Sequence, residues 1–146
     1  MASEVRAIKQ VDLNRFVLVN AGFNDLVRPV MYRSRHRVTI LAPDGSTRSG
    51  PLTGVVLAGP LCEAGDVFTQ SEAGDVQTMQ LPEAAVGDLA VFHDTGAYGS
   101  SMSSNYNSRP LIPEVLVDGD TTMLIRRRQT VRELISLETE AAGNLH

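Results

Sequence analysis

Residues 114–126 read EVLVDGDTTMLIR, and this stretch decides the class of fold. Two apolar runs, residues 114–117 and 122–125, lie on either side of the pair Asp118-Gly119. An Asp-Gly pair tolerates the positive φ angles that a two-residue turn requires. The stretch therefore predicts two antiparallel strands joined by a tight turn.

Short apolar runs separated by turn residues continue through the rest of the chain. They occupy residues 16–19, 38–41, 54–58, 76–81 and 89–92, with Gly-Asp or Asp-Gly pairs between many of them. Runs of this length bounded by turn residues are typical of strands. For a chain of 146 residues without a repeat or linker, we expect one β-rich domain over residues 1–146. It should contain at least six strands, arranged as a barrel or sandwich.

Two segments predict helices. The first, near residues 24–32, has Asn24 or Asp25 as its cap and Pro29 in its early turn. The second, near residues 131–141, follows Thr130, which with Glu133 three positions later makes a capping box. The last residues, 141–146, are expected to fray.

Composition and charge exclude several classes of function. The net charge of -4 argues against a general nucleic-acid binder, which needs a basic face toward the phosphates. No apolar run approaches the roughly 20 residues that cross a bilayer, and the N-terminus has no signal-peptide pattern. We therefore expect a cytoplasmic protein that binds neither nucleic acid nor membrane.

Cysteine, histidine and lysine content limits the available chemistry. The single cysteine excludes an internal disulfide, and the three scattered histidines predict no metal site. Among the 13 basic side chains, Lys9 is the only lysine, and it lies in a polar N-terminal stretch. A Schiff base would have to use Lys9 or a lysine from another chain.

The stretch GPLCEAGD, residues 59–66, places Cys62 and Glu63 on a turn between two predicted strands. Thiols ordinarily carry their proton at neutral pH, so Cys62 beside a carboxylate could donate a proton. A single cysteine is also often a small buried hydrophobic residue, and composition alone leaves both interpretations open.

Arg28 and Tyr32 lie four positions apart, so on a helical turn they share one face. A guanidinium and a phenol together could hold a carboxylate. The alternative is a solvated arginine beside a tyrosine at the edge of the core.

The segment GAYGSSMSSNYNSRP, residues 96–110, surrounds Tyr98 with glycines and is rich in hydroxyl and amide groups. Such a loop could approach an anion such as a phosphate closely. Its polar groups could equally bond to the backbone of the loop itself.

Four segments together resemble a known family. FVLVNAGFNDLVRPVMY (16–32), GPLCEAGDVFTQ (59–70), HDTGAYGSSMSSNYNSRPLIPEVLVDG (93–119) and LIRRRQTVREL (124–134) are similar to the C-terminal domain of bacterial diaminopimelate decarboxylases. The resemblance covers nearly the whole chain and implies a Greek-key-like β-barrel or sandwich of the alanine-racemase C-terminal type. It also implies a pyridoxal-phosphate-dependent lyase of lysine biosynthesis, which converts meso-diaminopimelate to L-lysine and CO2.

The resemblance assigns roles to five residues. Arg28 and Tyr32 match the substrate-binding R-P-x-x-Y motif. Cys62 matches the proton donor that reaches into the neighbouring subunit's site, and Glu63 matches an adjacent substrate-binding glutamate. Tyr98 matches a tyrosine that contacts both cofactor and substrate.

The family's cofactor lysine and phosphate site belong to an N-terminal (β/α) barrel, and Lys9 does not match that lysine. We therefore expect the isolated chain to lack the barrel, to be inactive alone, and to work as a homodimer or with a barrel-containing decarboxylase chain. The alternative is a stand-alone, non-catalytic binding or assembly module derived from the same domain.

Overall fold

The computed structural model describes residues 1–142, with side chains described to residue 141. The chain divides into two compact units, the first comprising Met1–Ser103 and the second beginning at Ser104. Residues 143–146, most of the segment expected to fray, lie outside the described residues.

The first unit is built on a six-stranded sheet with the order β3-β6-β1-β2-β4-β5. Its strands are β1 (Ala2–Val11), β2 (Asn14–Val19), β3 (Val38–Leu41), β4 (Leu52–Ala58), β5 (Met79–Pro82) and β6 (Leu89–Phe92). Strands β2 and β4 are parallel, and the other neighbours are antiparallel. The two edge strands, β3 and β5, contact each other, so the sheet curls toward a barrel. The predicted mostly-β fold class is confirmed.

The interior of the curled sheet is filled by one apolar cluster. The most deeply buried side chains include Val5, Leu26, Ile40, Leu57 and Phe92. The rings of Phe68 and Phe92 lie 4.7 Å apart at an interplanar angle of 56°. A tilted pair at this distance adds to the stability that burial alone provides.

Strand β1 is not predicted from the sequence, because charged residues interrupt the alternation of apolar and polar residues along it. Ser3 and Val5 are buried, whereas Arg6 and Lys9, which follow them, are exposed. The first part of β1 pairs with β6 and the rest with β2, so neighbours on both sides impose the strand. The predicted run 76–81 is also shorter in the structure, where β5 begins at Met79 and Val76 makes only an isolated bridge.

The first helix lies where it is predicted, but it begins later in the chain than expected. Helix α1 covers Arg28–Tyr32, with Pro29 in its first turn and no side-chain cap. Asn24 and Asp25 are 1% and 3% exposed and form a turn in which the Asp25 carboxylate accepts from the Gly22 N–H. Their side chains bond within that turn, which explains why they do not cap the helix.

The second unit contains a hairpin and two short helices. Strands β7 (Glu114–Asp118) and β8 (Thr121–Arg126) pair as predicted. The turn residues between the paired Asp118 and Thr121 are Gly119, with φ of 57°, and Asp120, one position later than expected.

The sequence predicts one C-terminal helix near residues 131–141, and the structure divides this helix into two. It is interrupted at Ile135, which separates α3 (Val131–Leu134) from α4 (Ser136–Ala142). The Ser136 hydroxyl donates to the Glu133 carbonyl at this point, a local bond that competes with the helical pattern. The capping box of Thr130 and Glu133 is confirmed.

Candidate active site

Arg28 lies between two tyrosine rings. Its guanidinium carbon is 5.4 Å from the ring centre of Tyr32 and 5.2 Å from that of Tyr98. Arg28 and Tyr32 therefore share one face of α1, as the four-residue spacing predicts. The two cation–π contacts fix the position of the charge while the rings stay more than half exposed.

Tyr98 reaches this cluster from a helix and not from a loop. The segment predicted as a loop contains α2 (Gly96–Ser101), which begins directly after β6 and a turn, with Gly96 at φ of 57°. The position of Tyr98 is thus set by a rigid element attached to the sheet.

Several polar groups of this segment bond to the chain itself. The backbone N–H and hydroxyl of Ser103 both donate to the Ser100 carbonyl, and the Asn105 amide donates to the Arg109 carbonyl. These contacts favour the interpretation that these hydroxyl and amide groups bond to the backbone of their own segment.

The Arg28 guanidinium keeps its capacity to bind an anion. Among the described residues, no acidic side chain forms an ion pair with it. Its contact with the Ser34 hydroxyl is long, at 3.4 Å. A carboxylate or phosphate brought to this cluster would meet a positioned positive charge and two phenol hydroxyls.

Cys62 and Glu63 lie on an exposed turn in the connection between β4 and β5. The turn is closed by a bond from the Asp66 N–H to the Glu63 carbonyl, and Cys62 itself has φ of 51°. The interpretation of Cys62 as a buried hydrophobic residue is therefore wrong, and its thiol is accessible.

The Cys62 turn is joined to the chain on both sides of α1. Before the helix, the Phe23 N–H donates to the Asp66 carboxylate over 2.8 Å. After the helix, Arg33 donates to the side chain of Gln70, which in turn donates to the Gly65 carbonyl over 3.1 Å. These contacts connect the thiol-bearing turn to the element that carries Arg28.

Sequence reasoning missed Asp66, Gln70 and Arg33. In the sequence, the Gly65-Asp66 pair after Cys62 predicts only a turn. Phe23 lies 43 positions from Asp66, and Arg33 lies 37 positions from Gln70, so no local pattern reveals these two contacts.

Lys9 is not part of this cluster. It is exposed on β1, opposite Phe16 of β2. Within residues 1–142, no group of three or more potential ligands could hold a metal ion. No described helix has the length and apolar character needed to span a bilayer.

The family described as "Pyridoxal-dependent decarboxylase, C-terminal sheet domain" matches residues 1–96. The chain belongs to this family.

The particular relatives are diaminopimelate decarboxylases. That of Streptomyces coelicolor is 66% identical over 140 residues, which cover 96% of this chain and 32% of the relative. That of Escherichia coli K12 is 60% identical and is covered to 33% of its length. The chain thus spans about a third of the length of these curated relatives.

Solved structures agree with this result. A crystal structure of diaminopimelate decarboxylase superimposes with a TM-score of 0.89 at 60% identity, over 94% of this chain and 33% of that one. The Helicobacter pylori enzyme, solved in complex with L-lysine, superimposes with a TM-score of 0.81 at 34% identity, over 96% of this chain and 32% of that one.

Proposed function

We propose that this chain is the part of a diaminopimelate decarboxylase that supplies substrate-binding and proton-donor residues to a dimeric site. The reaction is the conversion of meso-2,6-diaminopimelate to L-lysine and CO2. The observation that carries the proposal is the Arg28 guanidinium, held between Tyr32 and Tyr98 without an ion-pair partner in the described part of the chain. The identity to diaminopimelate decarboxylases supports it.

Each residue has a role that follows from its chemistry. Arg28 and Tyr32 bind a carboxylate of the substrate through charge-assisted hydrogen bonds. Glu63, exposed beside Cys62, binds an ammonium group. The exposed Cys62 thiol donates its proton from Sγ to the substrate carbon that has lost CO2.

The cluster of Arg28, Tyr32 and Tyr98 is suited to contact pyridoxal phosphate, the cofactor on which the family depends. When bound, this cofactor delocalises the electron pair that decarboxylation leaves behind. Tyr98, a residue that is 59% exposed and lies beside the Arg28 charge, would touch it. Lys9 lies on β1 outside the cluster, so the anchoring lysine comes from the barrel or from another chain.

Exposed apolar surface supports an assembled state. Large hydrophobic side chains on both strands of the β7–β8 hairpin are about half or more exposed: Val115, Leu116, Val117, Met123, Leu124 and Ile125. Consecutive residues of a strand point to opposite faces, so both faces of the hairpin are apolar. We propose that these faces are covered in a homodimer or by a barrel-containing decarboxylase chain.

The test replaces the C-terminal third of the Streptomyces coelicolor relative with this chain and measures L-lysine formation from meso-diaminopimelate. We expect activity, and its loss by about 100-fold or more in Cys62→Ala, because a general acid contributes about that much to a rate. Sedimentation velocity on the same protein tests the dimer.

The matched control compares Glu63→Gln with Glu72→Gln, since both glutamates are exposed in the β4–β5 connection. Glu63→Gln should raise KM, and Glu72→Gln should not. A folded fusion that makes no lysine would rule out the catalytic proposal. If the chain instead forms a stable complex with a decarboxylase, and Cys62→Ala does not weaken that complex, the result would indicate an assembly module.

A further inference from the structure

We infer that Asp66 is the positioning residue of the Cys62 turn. Its two carboxylate oxygens hold the turn against the segment that leads into α1, and so fix the thiol relative to Arg28. The inference rests on the proposed function for its catalytic meaning, but its physical content stands on the contacts of this chain alone.

Asp66 is 3% exposed and uses both oxygens. Oδ1 accepts from the Phe23 N–H over 2.8 Å, and Oδ2 accepts from the Leu61 N–H over 2.8 Å. Leu61 directly precedes Cys62, and Phe23 lies five positions before Arg28. One side chain thus joins the residue beside the thiol to the entry of the helix that carries the guanidinium.

The backbone around Asp66 is built to admit its carboxylate. A Cβ placed on Gly59 would lie 2.3 Å from Asp66 Oδ2, so only glycine fits there. The Gly59 N–H donates to the Asp66 carbonyl over 2.9 Å, which closes the base of the turn.

Cys62 itself needs support from its surroundings. Its φ of 51° lies in the left-handed region, which is unfavourable for a residue with a Cβ. Such a conformation persists where neighbouring contacts enforce it. The hydrogen bond from the Leu61 N–H to the Asp66 carboxylate is a buried contact directly before Cys62 in the chain.

The test is amide hydrogen exchange on this chain, comparing the wild type with Asp66→Asn. Asparagine keeps the size of the side chain but only one acceptor oxygen, so one of the two amides loses its partner. We expect exchange at Phe23 or Leu61, relative to the core amide of Val56, to become about 10-fold faster or more, because hydrogen bonds to a charged group contribute that much.

Asp88→Asn is the matched control. Asp88 is also a buried aspartate that accepts a backbone N–H, from Ala85, but it has no described contact with the Cys62 turn. Asp88→Asn should not raise the exchange rates of the Phe23 and Leu61 amides relative to that of the Val56 amide. Unchanged ratios in Asp66→Asn, or equal increases in both variants, would overturn the inference.

A measurement on the wild type covers the case in which Asp66→Asn does not fold. Acid titration followed by NMR should show the amide resonances of Phe23 and Leu61 moving with the side-chain carboxyl carbon of Asp66, at one shared midpoint. Separate midpoints would show that Asp66 does not hold both amides.

A kinetic readout then separates positioning from general stability. In the fusion with the relative's barrel, Asp66→Asn should lower kcat by about 10-fold or more with KM changed less than about threefold, because a misplaced donor slows the proton transfer. Asp88→Asn should leave kcat unchanged. If the fusion is inactive, the exchange experiment still decides the role of Asp66, so the two proposals fail separately.

Discussion

At the residue scale, the proposed role of Arg28 requires a guanidinium that is held in position before an anion binds. Its charge lies against two aromatic faces at 5.4 Å and 5.2 Å, and these contacts attract the guanidinium without occupying its N–H donors. A carboxylate partner would occupy those donors, and none forms an ion pair with Arg28 among the described residues. The arrangement limits the side-chain entropy that is lost when an anion binds.

The Tyr98 ring is expected to act mainly through Arg28. In the fusion, Tyr98→Leu should raise KM for the substrate by about two- to fivefold more than Tyr98→Phe, because only leucine removes the cation–π contact, which contributes about 0.5–1 kcal/mol. Steady-state kinetics measures the difference.

Tyr106→Leu is the control for that comparison, since Tyr106 lies in the same stretch of sequence, in the 3₁₀ turn Tyr106–Ser108, whereas the two cation–π contacts of Arg28 are with Tyr32 and Tyr98. Equal KM values for the leucine and phenylalanine variants of Tyr98 would contradict this role.

At the scale of elements, helix α3 is only four residues long and depends on its cap. The Glu133 N–H donates to the Thr130 hydroxyl, and the Thr130 N–H donates to the Glu133 carboxylate. Bonds from Arg127 and Thr130 to that carboxylate lower the pKa of Glu133 well below its usual range. Reciprocal bonds of this kind satisfy donors that a short helix otherwise exposes to water.

Thr130→Ala should therefore destabilise α3 by about 1 kcal/mol, the usual cost of a lost N-cap. The expected signal is faster hydrogen exchange at the Leu134 amide, which donates to the Thr130 carbonyl. Thr139→Ala serves as control, because the Thr139 hydroxyl donates to the Ser136 carbonyl within α4 and caps nothing. A similar effect of both substitutions on Leu134 would argue against the cap.

At the scale of the whole molecule, one of the buried aspartates contributes to the stability of the sheet. Asp88 is 0% exposed and accepts from Arg48 through both oxygens, at 3.0 Å and 2.8 Å. The Arg48 hydrogen bonds lower the pKa of Asp88 below its usual value of 3.8, helped by the Ala85 N–H, while burial acts in the opposite direction. The carboxylate thus ties the start of β6 to the segment after β3.

The sign of the pH effect follows from this lowered pKa. Because the carboxyl is more acidic when folded, its stabilisation is complete above pH 3.8 and is lost as the pH falls through the folded-state pKa. Asp88→Asn should lower the free energy of unfolding at neutral pH by about 2 kcal/mol and weaken the loss of stability below about pH 4. Urea unfolding followed by circular dichroism at several pH values measures both.

Asp44→Asn is the comparison for that experiment. The pKa of Asp44 is also lowered, chiefly by its bond from the Ser46 hydroxyl, but the residue is exposed in a turn. Its substitution should change stability much less. A pH profile unaltered by Asp88→Asn would contradict the assignment.

Local signals in the sequence were sufficient for much of this fold. The β7–β8 hairpin, strands β3 and β6, the capping box at Thr130 and the shared face of Arg28 and Tyr32 all follow from spacing over a few residues. The motifs around Cys62 and Tyr98 also indicate the family, because each of them lies in one short continuous stretch of sequence.

Only the tertiary structure decided the rest, because it depends on partners that are distant in sequence. Strand β1 exists because β2 and β6 pair with it on both sides. Its charged residues interrupt the strand pattern, so the sequence does not predict it. The meeting of Tyr98 with Arg28 joins α2 to α1 across 70 positions. The sequence predicts Asp66 only as a turn residue, whereas in the fold its carboxylate accepts from the Phe23 amide, 43 positions away. A buried polar group must find a partner wherever the fold brings one, and no local pattern records which partner that is.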